Sequence, residues 1–393
     1  MPVSLDLKAS GGRQPVVFRW AVNSLSGWGI YGLNLALHLA GDRRFAPVGA
    51  APWNDVVLDP VRSRALAQVR DASRALSEAL SGIAGDVDVN APVLHPLGND
   101  LEGDKRFIAG PTNAGVIFMT GTAITAAGRQ RAQRYNLIVA GSEWNARLLR
   151  EGGVDHVVTV LQGVDPGLFH PAPTSGLLAD RFVIFSGGKL EFRKGQDLVL
   201  TAFRAFHARH PEALLLTAWQ SGWPHLAARF DVPPPLGSNG TIDVTGWAAA
   251  QGLPADAVVD VGMAPNISMP HVMREADVAL FPNRAEGGTN LVAMECMACG
   301  VPVILSANTG HLDLLRDDAA MPLRRQRAVV RGIDGTDGWG ESDVEEMLEA
   351  LETLWSHRAW AKELGARGAA AMAGLTWRGQ IGRLMEALEP VLG

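Results

Sequence analysis

The sequence is poor in cysteine, with two in 393 residues. That number excludes the disulfide framework that holds many small secreted proteins together. The two are Cys296 and Cys299, and their C-x-x-C spacing also occurs in redox pairs and in half of a zinc site. A zinc site needs two further ligands, and there is no second C-x-x-C and no nearby pair of histidines. We therefore expect both cysteines to be buried packing residues.

Long apolar runs and an excess of basic residues are also missing. No apolar run of about 18 residues occurs, so we expect no membrane-spanning helix. The first residues lack a basic segment followed by an apolar one, which argues against a secretory signal. The formal net charge of −6 argues against a nucleic-acid partner, because phosphate contacts require a basic face. These features favour a cytoplasmic location.

What the sequence does contain is typical of a two-domain α/β enzyme. It is long for a single core, and 47% of its residues are hydrophobic while 19% are charged. Short apolar runs alternate with helical patterns, which predicts parallel sheets joined by right-handed crossovers. The predicted strands are 15–22, 45–51, 89–95, 114–120, 136–142, 156–162, 181–188, 212–219, 241–247 and 301–307, and the segment 271–282 is predicted to pass from a helix into a further strand.

The alternation is interrupted once, by a Pro/Gly-rich stretch at 163–176. We interpret this stretch as a linker between two Rossmann-like domains, with the boundary between residues 168 and 169. Each side of it carries its own series of strands and helices. The expected architecture is therefore two Rossmann-like domains facing each other.

The predicted helix over 60–80 carries four arginines, and its apolar side includes Leu66, Val69, Leu76 and Leu80. Basic amphipathic helices can lie on anionic membrane surfaces. Acidic residues are interspersed with these arginines, which favours a solvated face on a helix that covers the sheet. Peripheral contact with a membrane stays open as the alternative.

Glycines and basic residues follow the predicted strand at 181–188. Gly187 and Gly188 allow close approach of the backbone to a ligand. Lys189, Arg193 and Lys194 supply positive charge next to the N-terminus of the following helix. This combination suits a diphosphate; the alternative is a solvated turn with ordinary lysines.

A second glycine-rich loop follows the first predicted strand. Gly27, Gly29 and Gly32 are spaced as G-x-G-x-x-G, which is a weak signal of dinucleotide binding. The acidic residue that would contact a ribose is not clearly present at the end of the next strand. The loop is better suited to approach a phosphate than to bind a nicotinamide cofactor.

The cysteines lie in a segment that also holds two glutamates. Glu286 precedes a predicted helix whose first turn is 289–291, and Glu295 lies on that helix. Amides at a helix N-terminus favour an anion, and carboxylates accept hydrogen bonds from sugar hydroxyls. A sugar nucleotide needs both. The alternative is a pair of surface carboxylates without a role.

These residues together resemble the retaining glycosyltransferases of family 4, which have the GT-B fold. The resemblance is strongest around Glu286 and Glu295 and spans most of the chain. It is carried by "SGWGIYGLNLALHLA", "SEWNARLLREGGVDHVVTVLQGVDPGLFHP", "GGKLEFRKGQDLVLTAF" and "EADVALFPNRAEGGTNLVAMECMACGVPVI".

The resemblance implies transfer of a sugar from a UDP- or GDP-linked donor to a glycan, glycolipid or small-molecule acceptor, with retention at the anomeric carbon. Residues 1–168 would form the acceptor side and 169–375 the donor side across a cleft. The helix 376–393 would cross back to the first domain. No cofactor beyond the nucleotide sugar is implied.

Site residues follow by similarity. Lys189 and Lys194 would hold the diphosphate, Glu295 the ribose hydroxyls and Glu286 the donor sugar. The remaining donor-side positions would be Gly27, Gly29, Gly188, Gly287, Gly288, Thr289, Asn290 and Leu291.

The sequence departs from the family pattern in three respects. Eight residues separate Glu286 from Glu295, where the family usually has seven. Lys189 stands where an arginine is common. Family members often carry a histidine near the reacting centre. His95 is the nearest candidate, with Thr120 and Thr122 as other cleft-lining possibilities, although a histidine at a strand end more often packs or caps.

A D-x-D motif at Asp86 and Asp88 matches the metal-binding motif of a different glycosyltransferase fold. So short a motif arises often by chance, and it is far in sequence from the lysines and glutamates. We therefore expect no required metal. Two other functions remain: a catalytically silent paralogue that binds or scaffolds, and a nucleotide-sugar epimerase, for which the sequence offers no acid/base residues.

Overall fold

The computed structural model describes residues 2–7, 12–238, 240–329 and 335–392. Its helices are α1 (Gly27–Ala40), α2 (Pro60–Ala65), α3 (Ala67–Ser81), α4 (Ala126–Ala132), α5 (Glu143–Glu151), α6 (Gln196–His207), α7 (Val244–Ala250), α8 (Met269–Met273), α9 (Leu291–Ala298), α10 (Val344–Ser356), α11 (Arg358–Ala373) and α12 (Trp377–Leu388). Its strands are β1 (Val3–Leu5), β2 (Gln14–Phe18), β3 (Phe45–Gly49), β4 (Val87–Val89), β5 (Val93–Leu97), β6 (Ile108–Ala109), β7 (Asn113–Ile117), β8 (Leu137–Ala140), β9 (Val157–Thr159), β10 (Phe182–Gly187), β11 (Ala213–Ala218), β12 (Val258–Asp260), β13 (Val278–Phe281), β14 (Val303–Ser306), β15 (Met321–Leu323), β16 (Gln326–Ala328) and β17 (Gly340–Ser342).

Contacts divide the chain into two compact units. The first consists of the described residues within Met1–Gly163, Pro265–Ile267 and Leu375–Gly393. The second consists of those within Val164–Ala264 and Ser268–Gly374. Each unit has its own six-stranded sheet.

The larger sheet of the first unit is parallel throughout, in the order β3-β2-β5-β7-β8-β9. Strands β3 and β8 are buried along their whole length, which is typical of parallel sheets covered on both faces. Because β3 lies on one side of β2 and the later strands lie on the other, the strand order reverses between β2 and β5. A smaller parallel sheet, β1-β4-β6, completes this unit's strands within the described ranges.

The last helix, α12, belongs to the first unit. The Trp377 ring is buried and stacks on the Tyr31 ring of α1, with their centroids 5.4 Å apart. A Cβ at Gly163 would lie 2.4 Å from the Trp377 backbone nitrogen, so the two segments approach closely because position 163 is glycine. The predicted return of the C-terminal helix to the first domain is confirmed.

The sheet of the second unit is also parallel, in the order β12-β11-β10-β13-β14-β15. Strands β10, β13 and β14 are fully buried. One face is covered by an apolar cluster that includes Phe203 and Phe206 of α6 together with Trp219 and Trp247. The α/β class with two Rossmann-like units is confirmed.

Two local predictions are wrong. The strand expected at 241–247 is replaced from Val244 onward by α7. The Asp243 side chain accepts a hydrogen bond at 2.8 Å from the backbone N–H three residues later, and this cap outweighs the β-branched residues around it. The single helix expected over 60–80 is divided at Leu66 into α2 and α3.

Candidate functional site

Two loops of the second unit meet at the carboxyl ends of β10 and β13. The chain passes from β10 to β11 on one side, while β13 lies on the other, so the strand order reverses here. Ligands of open parallel sheets commonly bind at such a switch point. A Cβ at Gly187 would lie 2.9 Å from Val292 Cγ1, so the end of β10 lies against the first turn of α9. Loops 188–195 and 282–290 are therefore neighbours.

Two glycines in loop 188–195 have positive φ angles that other residues rarely adopt. Gly188 has φ +123° and Gly195 has φ +70°. A Cβ at Gly195 would lie 2.3 Å from the Pro282 carbonyl oxygen, so the two loops touch at a position that requires glycine. A Cβ at Gly188 would lie 4.0 Å from Lys194 Nζ, so this ammonium lies beside the turn that ends β10.

Three cations and two carboxylates form a buried charged cluster in this place. The Lys194 ammonium bonds to the Glu286 carboxylate, and its side chain is 10% exposed. Arg193 bonds to Glu191 and, at 3.1 Å, to Glu286 Oε2. The Lys189 ammonium lies 3.2 Å from Glu191 Oε2 and is the most exposed of the three cations. The cluster carries one positive charge in excess, which favours an anionic ligand.

Glu286 is the buried anion at the centre of the cluster. The Asn283 amide donates to the carboxylate oxygen that also bonds to Lys194. Burial alone would raise the pKa of Glu286, but the charges of Lys194 and Arg193 lower it to about 2. Burial lowers the pKa of Lys194, and the Glu286 carboxylate opposes that effect. The sequence places these groups far apart, and the fold brings them into one network.

The helix that carries Glu295 begins later than expected. Thr289 lies in the preceding loop, where its hydroxyl is 2.9 Å from Met294 Sδ, and α9 starts at Leu291. Asn290 is the N-cap, with φ 64° and ψ 86°, and its side chain accepts from the Ala293 N–H at 3.4 Å. Asparagine tolerates this left-handed conformation better than most residues, and it caps helices well.

Glu295 is buried on α9, 3% exposed, in the same helix as the two cysteines. Its role toward a ribose stays a prediction. Cys296 and Cys299 are free thiols, and both are buried. Burial raises the pKa of Cys299 to about 12 and raises that of Cys296 well above its ordinary value. These surroundings agree with a packing role and leave little reactive thiolate at neutral pH.

Sequence reasoning did not anticipate the loop after β14. Thr309 Oγ1 accepts from the Glu286 backbone N–H at 2.8 Å, and the Gly310 N–H donates to the Glu286 carbonyl at 3.0 Å. His311, which is fully buried, lies 3.0 Å from the Asn290 amide. The loop after β14 is therefore hydrogen-bonded to both ends of the segment between Glu286 and α9.

Arg284 is the second residue that the sequence did not single out. Its side chain is 1% exposed and forms two hydrogen bonds to Asp197, at 2.8 and 2.7 Å. It also bonds to Glu341 Oε2 and to the Phe192 carbonyl, both at 2.7 Å. The guanidinium thus ties the loop after β13 to the 3₁₀ turn after β10 and to the start of α6.

We expect Arg284→Met to lower the free energy of unfolding by about 3 kcal/mol, because it leaves Asp197 and Glu341 without their shared cation. Urea denaturation of the purified protein measures this. The matched control is Arg325→Met, since Arg325 is half exposed and pairs with the exposed Glu349. The control should cost less than about 1 kcal/mol. Equal losses in the two variants would contradict the structural role of Arg284.

The glycine-rich loop of the first unit follows β2, where that sheet's strand order reverses. Asn23 Oδ1 accepts from the backbone N–H groups of Leu25 and Ser26, at 3.0 and 2.8 Å. A Cβ at Gly29 would lie 2.3 Å from Asn23 Cγ, so the first turn of α1 approaches this loop because position 29 is glycine. Nothing lies within 4 Å of a Cβ at Gly27. The donor role of both glycines stays a prediction.

His95 lies in the interior of the first unit, 1% exposed. Arg19 donates to its Nδ1 at 3.2 Å, and its Nε2 donates to Asn113 Oδ1 at 3.1 Å. Its ring stacks on Phe107 with centroids 4.6 Å apart. Burial, together with the smaller effect of the Arg19 charge, lowers the pKa of His95 to about 3 against the opposing bond to Asn113. These contacts favour the packing role over the catalytic one, which remains untested.

The D-x-D motif has structural contacts of its own. Asp86 Oδ1 accepts from the Phe107 N–H at 2.7 Å, and Asp88 lies within β4. Across the described ranges, no group of three or more His, Cys, Asp or Glu residues is placed to hold a metal ion. Nor do those ranges contain a helix both long and apolar enough to cross a membrane.

Residues 143–384 match the model of a family described as "GT4-conflict: Family 4 Glycosyltransferase in conflict systems". This match covers more than half of the chain. It includes Lys189, Lys194, Glu286 and Glu295, while Gly27, Gly29 and His95 lie outside it.

Two curated relatives are similar to this chain over part of their length. A GDP-mannose-dependent alpha-(1-6)-phosphatidylinositol monomannoside mannosyltransferase of Mycolicibacterium smegmatis is 28% identical over 240 residues, 58% of this chain and 54% of that protein. A D-inositol 3-phosphate glycosyltransferase of Thermobifida fusca is 26% identical over 247 residues, 60% of this chain and 50% of that protein. The chain thus matches about half the length of these relatives.

Solved structures show the fold. Anabaena HepE in complex with UDP-glucose has a TM-score of 0.64 at 13% identity, covering 96% of this chain and 100% of that one. Sucrose-phosphate synthase from Thermosynechococcus elongatus has a TM-score of 0.61 at 18% identity, covering 96% of this chain and 99% of that one. The predicted GT-B fold is confirmed.

Proposed function

Because the chain belongs to the family 4 glycosyltransferases of conflict systems, we propose that it transfers a sugar from a nucleotide-diphosphate donor to an acceptor with retention at the anomeric carbon. The observation that carries the proposal is the buried charged cluster at the switch point of the second unit. Lys194 and Arg193 are held there by Glu286, and Lys189 lies at the more exposed side. An excess of positive charge beside two helix N-termini is suited to a diphosphate.

In the proposed reaction the bond between the anomeric carbon and the β-phosphate oxygen breaks, and its electron pair stays on that oxygen. A bond forms between the anomeric carbon and an acceptor oxygen on the same face of the sugar. The acceptor's proton passes to the leaving phosphate. Lys189, Lys194 and the amides at the starts of α6 and α9 stabilise the negative charge that develops, and this differential stabilisation lowers the barrier.

The remaining donor contacts are assigned by family resemblance. Glu295 accepts hydrogen bonds from the ribose hydroxyls, and Glu286 contacts the donor sugar. Gly188 and the segment 287–291 line the diphosphate. Gly27 and Gly29 are assigned to the donor by the same resemblance. In this proposal no metal is required, because lysines and amides carry the charge of the diphosphate, and full activity in a chelator is the expected result.

The names of similar proteins suggest which donors and acceptors to try. The mannosyltransferase of Mycolicibacterium smegmatis is GDP-mannose-dependent, and Anabaena HepE binds UDP-glucose. We therefore propose a UDP- or GDP-linked sugar as donor, and a glycan, glycolipid or small molecule as acceptor. We place the protein in the cytoplasm, and with a glycolipid acceptor it would work at the membrane surface.

A thermal-shift panel of UDP, GDP and their common sugar conjugates tests the proposal. The matching nucleotide should stabilise the protein by about 2.7 kcal/mol at 100 times its Kd, which raises the melting temperature. Nucleotide release from the stabilising donor is then measured with and without lysate acceptors. Acceptor-dependent release supports transfer, whereas acceptor-free interconversion of the donor indicates an epimerase. Binding without any release indicates a silent paralogue and overturns the proposal.

A further inference from the structure

The chain between Glu286 and α9 ends in an unusual backbone conformation. Asn290 has φ 64°, in the left-handed region, and its cap to Ala293 is long at 3.4 Å. A non-glycine residue keeps such a conformation only where its surroundings hold it there. The surroundings in this case are supplied by the loop that follows β14.

That loop makes four separate contacts with the segment 286–290. Two are the bonds of Thr309 and Gly310 to the Glu286 backbone, at 2.8 and 3.0 Å. A Cβ at Gly310 would lie 1.8 Å from the Gly288 carbonyl oxygen, so the third is a close backbone contact that requires glycine. The fourth is the bond between the Asn290 amide and His311 Nε2, at 3.0 Å. Of these four contacts, the bond between Asn290 and His311 is the one that joins two side chains.

His311 is held in one orientation and one tautomer by its partners. Nε2 accepts from the Asn290 amide, and Nδ1 donates to the Ser306 carbonyl at 3.3 Å. Burial lowers the pKa of His311 to about 4, although Glu286 acts in the opposite direction. The imidazole is therefore neutral at physiological pH, which leaves Nε2 available as an acceptor.

We propose that His311 is a positioning residue for donor binding: its bond to Asn290 fixes the start of α9 and the segment 286–290 in the conformation that receives the nucleotide diphosphate. This inference rests on the proposed function. His311 itself touches no reacting atom.

The test compares His311→Leu with His311→Gln and Asn290→Gly in the full chain. Leucine removes the acceptor, glutamine restores an acceptor and a donor, and Asn290→Gly keeps the left-handed backbone without the side chain. Affinities for UDP and GDP are measured by titration calorimetry, together with KM and kcat for the stabilising donor. His210→Leu is the matched control, since it removes a mostly buried histidine of the same unit that bonds to Glu352 at 2.8 Å.

We expect His311→Leu to weaken binding of the nucleoside diphosphate about tenfold and to raise KM more than it lowers kcat. His311→Gln should recover most of the affinity. Asn290→Gly should show a similar loss, and adding His311→Leu to it should cost little more, because both remove one interaction. His210→Leu should change thermal stability alone. If His311→Leu does not fold, Asn290→Gly carries the comparison.

Two results would overturn the inference in distinguishable ways. If the wild-type protein binds neither UDP nor GDP, the proposed function fails and the inference fails with it. If the wild-type protein binds one of them and the folded His311 and Asn290 variants bind it equally well, the proposed function stands and the positioning role is wrong. In this second case, a lower melting temperature of the His311 variants assigns His311 a purely structural role.

Discussion

Lys194→Ala should lower kcat by about 10²–10³-fold with a verified donor, the loss typical of removing one group that stabilises transition-state charge. The ammonium of Lys194 lies beside Gly188 at the end of β10 and is mostly buried. Lys189 is the other lysine that the proposal assigns to the charge on the leaving diphosphate, and Lys194 is the more buried of the two. The variant should also bind the nucleoside diphosphate more weakly, because a positive charge is lost from its site. Steady-state kinetics and calorimetry measure the two effects.

Lys362→Ala is the matched control for this prediction. Lys362 is an exposed lysine on α11 of the same unit, and its removal changes net charge by the same amount. Its kinetics should equal those of the wild-type protein. Unchanged turnover in Lys194→Ala would end the proposal that this lysine stabilises the leaving group.

The sequence was sufficient to predict the parts of the site that lie in single segments. A strand followed by glycines and lysines predicted the loop after β10, because that pattern is local. Alternating strands and helices predicted the α/β class and the parallel sheets, since buried parallel strands are continuous apolar runs. Strand order was not predictable in the same way. It depends on which strands pair, and so the meeting of loops 188–195 and 282–290 became visible only in the structure.

The missed residues are those whose partners lie far away in sequence. Arg284 is two residues before Glu286, yet nothing nearby indicates that its guanidinium is buried against Asp197 and Glu341. His311 follows a strand as an ordinary loop residue would. A buried arginine or histidine is costly without partners, and only the fold shows that the partners are there. Thr309 adopts a φ of 43°, which is rare for a β-branched residue, while the neighbouring Asn308 is extended, so no local signal pointed to this turn.

The local amino-acid pattern was misleading at the starts of two helices, α7 and α9. The segment 241–247 is rich in β-branched residues, yet the Asp243 cap starts a helix there. At the start of α9 a threonine looked like part of the first turn, while the cap is Asn290. At Asp243 one side-chain hydrogen bond to the backbone outweighs propensities that differ by only a few tenths of a kcal/mol, whereas at Asn290 the cap is long and contacts from the loop after β14 also hold the turn. Such boundaries are therefore hard to predict from composition.

Glu286→Gln should separate binding from catalysis, because the two should change in opposite directions. In the absence of a ligand the Glu286 carboxylate neutralises Lys194 and Arg193. Glutamine keeps the shape and a hydrogen-bond acceptor but removes the negative charge that a diphosphate must compete with. We expect the nucleoside diphosphate to bind several-fold to roughly tenfold more tightly. Transfer should nevertheless fall by about 10²–10³-fold, because the proposed contact that orients the donor sugar is weakened.

The stability of Glu286→Gln supplies an independent check on the same argument. Removing the central anion leaves two buried cations with less compensation, so the ligand-free variant should lose about 3 kcal/mol of unfolding free energy. A bound nucleotide should restore much of that loss, so the ligand-induced rise in melting temperature should exceed that of the wild-type protein. Glu363→Gln, on the exposed surface of α11, is the matched control and should change none of these quantities. Weaker nucleotide binding in Glu286→Gln would mean that this carboxylate does not compete with the ligand for Lys194 and Arg193.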